Sequence, residues 1–341
     1  MRNTLLVTLL ILLLNPAIIA QIIGGQTVDA DSNQPVPFAN VYLEGTTIGT
    51  TSNSDGYFIL DLQNKSTIPL VVSTIGYQSY RTEDYSKSEK LLIKLKPNRY
   101  DLEAFEVKAR KISRQPKLRI FKEAFLGRSK NAANCIIENE YAIMLEESPE
   151  TKTLYAYANE PLIIINKALG YKIDYHLKEF RCSGEDVFYS GTYFFTELET
   201  EDKAEIRRRK KNRLKTYKGS RLNLIRSFYN KNLNKNNFEV YYSNYKKLKS
   251  DEIYQKDLTG GDKLIYFTSD LIVYYIYVDE EEIVYLNQER TEKVATSYIK
   301  QKGGLRVTRD GYFDPHGVVW SGDISFYRVA DLLPYDYVAQ K

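Results

Sequence analysis

The chain has 341 residues with 48 Lys+Arg against 44 Asp+Glu, a formal charge of +4, and 43% hydrophobic residues. That composition excludes a disordered tail, and the length gives room for about two domains, each with its own core. Two Cys exclude a disulfide-dense miniprotein or Cys-based zinc ribbon, and two His exclude a His-rich metal site.

The N-terminus carries one positive charge at Arg2, an apolar run over Leu5–Leu14, a break at Asn15-Pro16 and small residues up to Ala20. This is the layout of a secretory signal peptide over residues 1–20. The apolar run is short of the ~20 residues that a membrane span needs. No Cys follows it, so there is no thiol for a lipoprotein anchor. A mature chain starting near Gln21 loses Arg2 and keeps a formal charge of +3.

Residues 22–96 carry short, evenly spaced strand signals. Within Phe38–Glu44, Ala39, Val41 and Leu43 fall on one face and Asn40, Tyr42 and Glu44 on the other. Phe58, Leu60 and Leu62 alternate in the same way, and Leu70–Ile75 and Leu91–Leu95 complete the set. Turn residues separate them, at Asp29–Pro37 and at Asn53-Ser54-Asp55-Gly56. The pattern predicts an all-β sandwich. Asp29, Asp31 and Asp55 lack the fixed ligand spacing of a calcium loop and read as turn residues.

The runs Pro37-Phe38-Ala39-Asn40-Val41, Gly49 to Phe58 and Val72-Ser73-Thr74-Ile75-Gly76-Tyr77 resemble the carboxypeptidase-regulatory-like domain. The resemblance implies a transthyretin- or immunoglobulin-like sandwich with a structural or binding role. Such a domain stands behind the catalytic domain of some zinc carboxypeptidases. It also forms the N-terminal extension of many TonB-dependent outer-membrane receptors of Gram-negative bacteria. The expected organisation is a signal peptide (1–20), the sandwich (21–97), a connector (98–115) with a strand-like piece at Leu102–Val107, and a larger α+β domain (116–341).

In the larger unit, Leu118, Phe121, Phe125 and Leu126 form a helical stripe that Gly127 ends. Strand-like runs follow at 136–137, 141–145, 154–158, 162–165, 171–177 and 187–195. Glu197–Lys215 has no Gly or Pro and reads as a helix, acidic at its start and basic at its end. Ser220 caps a second helix, with Leu222, Ile225 and Tyr229 on one face. The rest, Phe238–Tyr327, reads as strands and turns. Phe125-Leu126-Gly127, Glu160-Pro161-Leu162, Ala168-Leu169-Gly170-Tyr171 and Arg328–Pro334 resemble exported bacterial proteins that carry the same N-terminal sandwich. That implies an envelope location, in the periplasm or at the outer-membrane periphery of a Gram-negative bacterium, and no activity.

The candidate chemistry is sparse. His176 and Glu179 have the His-x-x-Glu spacing of a zinc site, with His316 far downstream. On a strand, however, residues three apart point to opposite faces. No Gly-x-Ser-x-Gly or P-loop is present, and no catalytic, metal or cofactor residue is assigned. Cys135 and Cys182 allow one disulfide or two free thiols, and both readings stay open. Arg207, Arg208, Arg209, Lys210 and Lys211 form a candidate anion-binding surface for envelope lipid or phosphorylated sugar, set against a solvated helix face. Six of the 29 Tyr precede residue 111, so the larger domain holds most of them. They build sheet or line a binding surface.

The expected function is that of a non-catalytic envelope protein that binds a protein, a glycan or anionic lipid. It uses no nucleic acid, and it lies at the membrane periphery without spanning it. The alternatives are a peptide or glycan hydrolase in the second domain and an accessory component of an outer-membrane receptor system.

Overall fold

The structure is a computed structural model that describes residues 21–65, 67–85, 90–98, 114–277, 284–286, 289–291, 294–301 and 303–339. The signal segment lies outside the described residues, as does the connector apart from Asn98, Arg114 and Gln115. Strand is the commonest regular structure in the described chain, beside three α-helices.

The N-terminal sandwich has seven strands: β1 (Ile22–Asp29), β2 (Asn40–Leu43), β3 (Gly49–Thr51), β4 (Tyr57–Asp61), β5 (Leu70–Ser73), β6 (Tyr80–Thr82) and β7 (Leu91–Leu95). They form two sheets, ordered β4-β1-β7 and β3-β2-β5-β6. The alternation read in the sequence supplies the core: Val41, Leu43, Phe58, Leu60, Leu70, Val72, Ile93 and Leu95 are all buried between the sheets. β1 runs parallel to β7, with Gly25 opposite Leu91. A Cβ at Gly25 would stand 2.5 Å from the Leu91 carbonyl oxygen and 2.7 Å from the Phe58 ring, so only glycine lets β1 sit between β4 and β7 there. The Asp29 carboxylate accepts from the Asp31 and Ser32 amides at 2.9 and 2.7 Å, which holds its pKa below the usual range. β6 was not expected from the sequence. Its residues Tyr80-Arg81-Thr82 are short and polar, and they pair as an edge strand on β5.

The larger unit opens with α1 (Arg114–Leu126), whose Leu118, Phe121, Phe125 and Leu126 are buried as the stripe predicts. Gly127 follows at φ 98°, the left-handed geometry of a helix end. Next come β8 (Cys135–Ile137), β9 (Ile143–Glu147), β10 (Leu154–Ala158), β11 (Leu162–Asn166), β12 (Tyr171–Ser183) and β13 (Asp186–Glu197), which form one sheet. Phe121 and Phe125 pack edge-on against Phe180 and Tyr175, at ring separations of 4.7 and 5.0 Å.

The basic helix α2 spans Lys203–Tyr217, not the expected Glu197–Lys215. Glu197 belongs to β13, and Asp202 caps the helix on the Ala204 amide at 2.8 Å. Ser220 caps α3 (Arg221–Tyr229) as expected. The remaining strands are β14 (Phe238–Tyr242), β15 (Tyr254–Asp257), β16 (Lys263–Tyr266), β17 (Leu271–Ile276), β18 (Val284–Leu286), β19 (Glu289–Thr291), β20 (Val294–Gln301), β21 (Leu305–Val307) and β22 (Val318–Gly322). A sheet ordered β14-β17-β20-β22 buries Phe238, Val240, Leu271, Val273 and Ile299 against Leu224, Ile225 and Phe228 of α3.

The sandwich is fused to the larger unit by its second sheet. The loop after β2 hydrogen-bonds through its backbone: Gly45 N to Tyr193 O at 2.7 Å, Phe195 N to Thr46 O at 3.0 Å, and Tyr335 N to Gly45 O at 2.8 Å. Asp336 accepts from the Thr47 amide at 2.9 Å, and Lys65 pairs with Asp310 at 2.5 Å. Tyr42 packs on Phe194 with ring centroids 5.0 Å apart. Tyr42 on the outer face of β2, and Glu44 just after the strand, are therefore buried.

Candidate binding cleft

A broad open cleft of about 2100 Å³ lies where the sandwich meets the larger unit. Its walls come from distant parts of the chain. Glu44 follows β2, β6 supplies Arg81, β10 supplies Tyr155 and Tyr157, β13 supplies Tyr189, and β22 supplies Trp320.

The sandwich wall is held by charge. Arg81 donates from Nε to Glu44 at 2.9 Å and from Nη2 to the Tyr312 hydroxyl at 2.6 Å. Burial pushes the Glu44 carboxyl upward in pKa, and the attraction of Arg81 offsets only part of that. Beside it, Arg306 reaches Glu83 of the sandwich and the buried Asp262 of its own unit, the latter at 2.8 Å.

The floor is aromatic. Tyr175 stacks on Tyr193 with centroids 5.5 Å apart, and the Tyr193 hydroxyl donates to Tyr335 at 3.5 Å. Burial pushes Tyr335 up to about 12, so its phenol keeps its proton at physiological pH. The tyrosines thus divide between core and cleft: Tyr42, Tyr85 and Tyr171 are buried, whereas Tyr155, Tyr157 and Tyr189 line the cleft.

His176 lies on the cleft wall, half-buried, with Nδ1 3.4 Å from the Ser79 hydroxyl. Burial pushes its pKa down to about 4, so the ring is neutral at pH 7. Among the described residues, the contacts at His176 do not include a carboxylate hydrogen bond. Asp174, on the same face of β12, pairs with Lys172 at 2.9 Å and does not orient the imidazole by a described hydrogen bond. The zinc-like spacing needs one correction. A β-bulge between Leu177 and Glu179 shifts the alternation by one residue, so Phe180 and Cys182 continue the buried face. His176 and Glu179 are thereby on the same side of the strand, not opposite sides. Among the described residues, no three His, Cys, Asp or Glu side chains gather to hold a metal.

The other sequence candidates lie elsewhere. Of the basic run, Arg207, Arg208, Lys210 and Lys211 are exposed on α2, outside the cleft. Arg209 is not a surface residue. It is buried, donates to Glu205 at 2.7 Å and to the Leu198 carbonyl, and ties α2 to the segment before it. A periodicity of 3.6 sends one member of any five-residue run inward. Cys135 and Cys182 are both free thiols. Asn166 faces both Cys135 and Tyr171 across the sheet, and Cys182 is eleven residues further along β12. At about 3.3 Å per residue that is on the order of 30 Å, far beyond the ~7 Å limit of a disulfide. Burial pushes Cys135 up to about 12, so it is a poor nucleophile.

The cleft residues that sequence reading missed are Arg81, Tyr189, Arg221, Trp320 and Arg328. The one available signal was Arg221, a cation at the first position of a helix, where the macrodipole favours the opposite charge.

Residues 23–107 match the CarboxypepD_reg-like domain. The match covers about a quarter of the chain and coincides with the sandwich, reaching beyond the expected boundary at residue 97. No curated protein matches the chain. Among solved structures, the chain is similar to a Bacteroides fragilis protein of unknown function, proposed to be membrane-associated. The identity is 10%, the alignment covers 81% of this chain and 94% of that one, and the TM-score is 0.18. Among the described residues, no helix is long and apolar enough to cross a membrane.

Proposed function

We propose that this is an exported protein of the Gram-negative cell envelope that binds a ligand, without catalysis, in the cleft between the CarboxypepD_reg-like sandwich and an α+β domain formed by residues 116–341. The observation that supports this reading is the construction of the cleft. Both units contribute walls, and backbone hydrogen bonds and ion pairs hold them in place. Tyrosines and the chain's one Trp line it, as in sites that grip glycan rings or peptide side chains. The CarboxypepD_reg-like match agrees with a structural or binding role for the sandwich.

Trp320 supplies the test, because it is the only Trp and stands in the cleft wall. The mature chain titrated with a panel of soluble envelope glycans and peptides should show saturable changes in Trp emission. Tyr157→Ala should weaken them, and Tyr245→Ala, at an exposed site off the cleft, should not. Saturable binding with no Trp response, unaffected by Tyr157→Ala, would place the ligand elsewhere and overturn the proposal.

A further inference from the structure

We infer that the cleft selects a ligand bearing an oxyanion, which Arg221 receives at the N-terminus of α3. This rests on the cleft being a binding site.

Arg221 is the first residue of α3, and it lines the cleft together with its neighbours Ser220 and Leu222. Its guanidinium stands over the Trp320 ring, 5.5 Å from the centroid, with the Tyr189 hydroxyl beside it. Its Nε is buried and has no hydrogen-bond partner. Burial pulls its pKa below the ordinary value, and no carboxylate among the described residues forms an ion pair with it. The nearby charge is of the wrong sign: Arg328, which lines the same cleft, disfavours the Arg221 cation. Asp331, also in the cleft, accepts with Oδ1 from Ser129 and Asn131 at 2.9 and 2.8 Å and leaves Oδ2 unpartnered, but it is not among the groups that act on Arg221.

Two independent features thus leave positive potential unanswered at one place. Arg221 is half-buried, and its buried, unpartnered Nε is costly, because a donor removed from water needs a hydrogen-bond partner or a counter-charge. A helix N-terminus adds about half a unit of positive charge, so a cation is the unfavourable residue there. The Ser220 cap takes the Asn223 amide at 3.1 Å, and among the described residues the hydrogen bonds do not consume the Arg221 and Leu222 amides. An oxyanion seated there would answer the guanidinium and the helix end together. The flat faces of Trp320 and Tyr189 would flank the body that carries it. Carboxylate and phosphate share this chemistry.

Matched probes separate the two sources. The mature chain is titrated with galacturonate against galactose, with N-acetyltyrosine against its amide, and with inorganic phosphate, following Trp320 emission. The acid of each pair should bind at least tenfold tighter than its neutral partner. Phosphate competing with galacturonate assigns a phosphate-accepting site, and phosphate without effect assigns a carboxylate site. In Arg221→Gln the acid and its neutral partner should bind alike, and in Arg221→Lys, which keeps the charge without the planar fork, part of the preference should return. If Arg221→Gln does not fold, Arg328→Gln carries the test, with a smaller loss of preference. Acid and neutral partners that bind equally to the wild-type chain overturn this inference and leave the cleft reading standing. Probes that all bind without changing Trp320 emission overturn both.

Discussion

The two sheets of the sandwich have the same alternating pattern in sequence and opposite fates in the fold. The outer face of β4-β1-β7 is exposed: Ile59 is 72% accessible, Leu92 60% and Tyr57 43%. The outer face of β3-β2-β5-β6 is covered, leaving Tyr42 at 2% and Glu44 at 8%. A sheet has two faces, and alternation decides only which residues share one. Which outer face is covered depends on contacts made by residues more than a hundred positions away, such as Phe194. The covered face is also the one beside the cleft, so binding and cohesion share one wall.

Substitutions on the two faces sharpen this contrast. The largest difference is expected between Tyr42→Ala and Ile59→Ala. Truncating a fully buried aromatic should cost about 3 kcal/mol, whereas the exposed Ile59 should cost under about 0.5 kcal/mol, as read from urea unfolding. Equal losses would mean that the second sheet is not covered in solution. A similar contrast holds within α2. Arg209→Ala should cost about 2 kcal/mol, because Glu205 and the Leu198 carbonyl lose a charged donor in a buried place, and Arg208→Ala should be near neutral.

The glycines give the next effect. Gly45, at φ 68°, would place a Cβ 2.6 Å from the Tyr335 ring, so Gly45→Ala should cost roughly 2 kcal/mol or more. Gly76 has φ 85° with open space around it, so Gly76→Ala should cost only the conformational term of about 1 kcal/mol. Thermal melts of the two variants measure the difference. The smallest effect is in pH dependence. Glu44 has a folded pKa above its unfolded value, so its ionisation opposes folding at neutral pH. That penalty disappears as pH falls through the raised value towards the ordinary one. Asp29, on a solvent-exposed turn, has a lowered pKa, and its contribution is present at neutral pH and lost as pH falls through the folded value. Glu44→Gln and Asp29→Asn should therefore change the acid limb of a stability–pH curve in opposite senses.

Much of the fold was legible because local rules were enough. The α1 stripe, the Ser220 cap and the alternation through β2, β4 and β12 all appear where the residues placed them. The errors share a cause. The start of α2 was read too early because Glu197 and Glu199 suit a helix end, but Glu197 opposite Tyr171 extends a strand pair instead. The facing of His176 and Glu179 was misread because one bulge residue reverses everything after it. The cysteine pair stayed open because spacing along the chain says nothing about separation across a sheet.

The sequence alone determined the sandwich, its core and its match to a family, since period-two alternation and turn chemistry act within a few residues. It also set the tyrosine-rich composition of the larger unit. Only the tertiary structure decided which sandwich face is covered, that Arg209 is internal, and that Glu44, Arg81, Tyr189, Arg221, Trp320 and Arg328 border one cleft. Those residues span almost three hundred positions, and their meeting depends on long-range packing that no local pattern encodes.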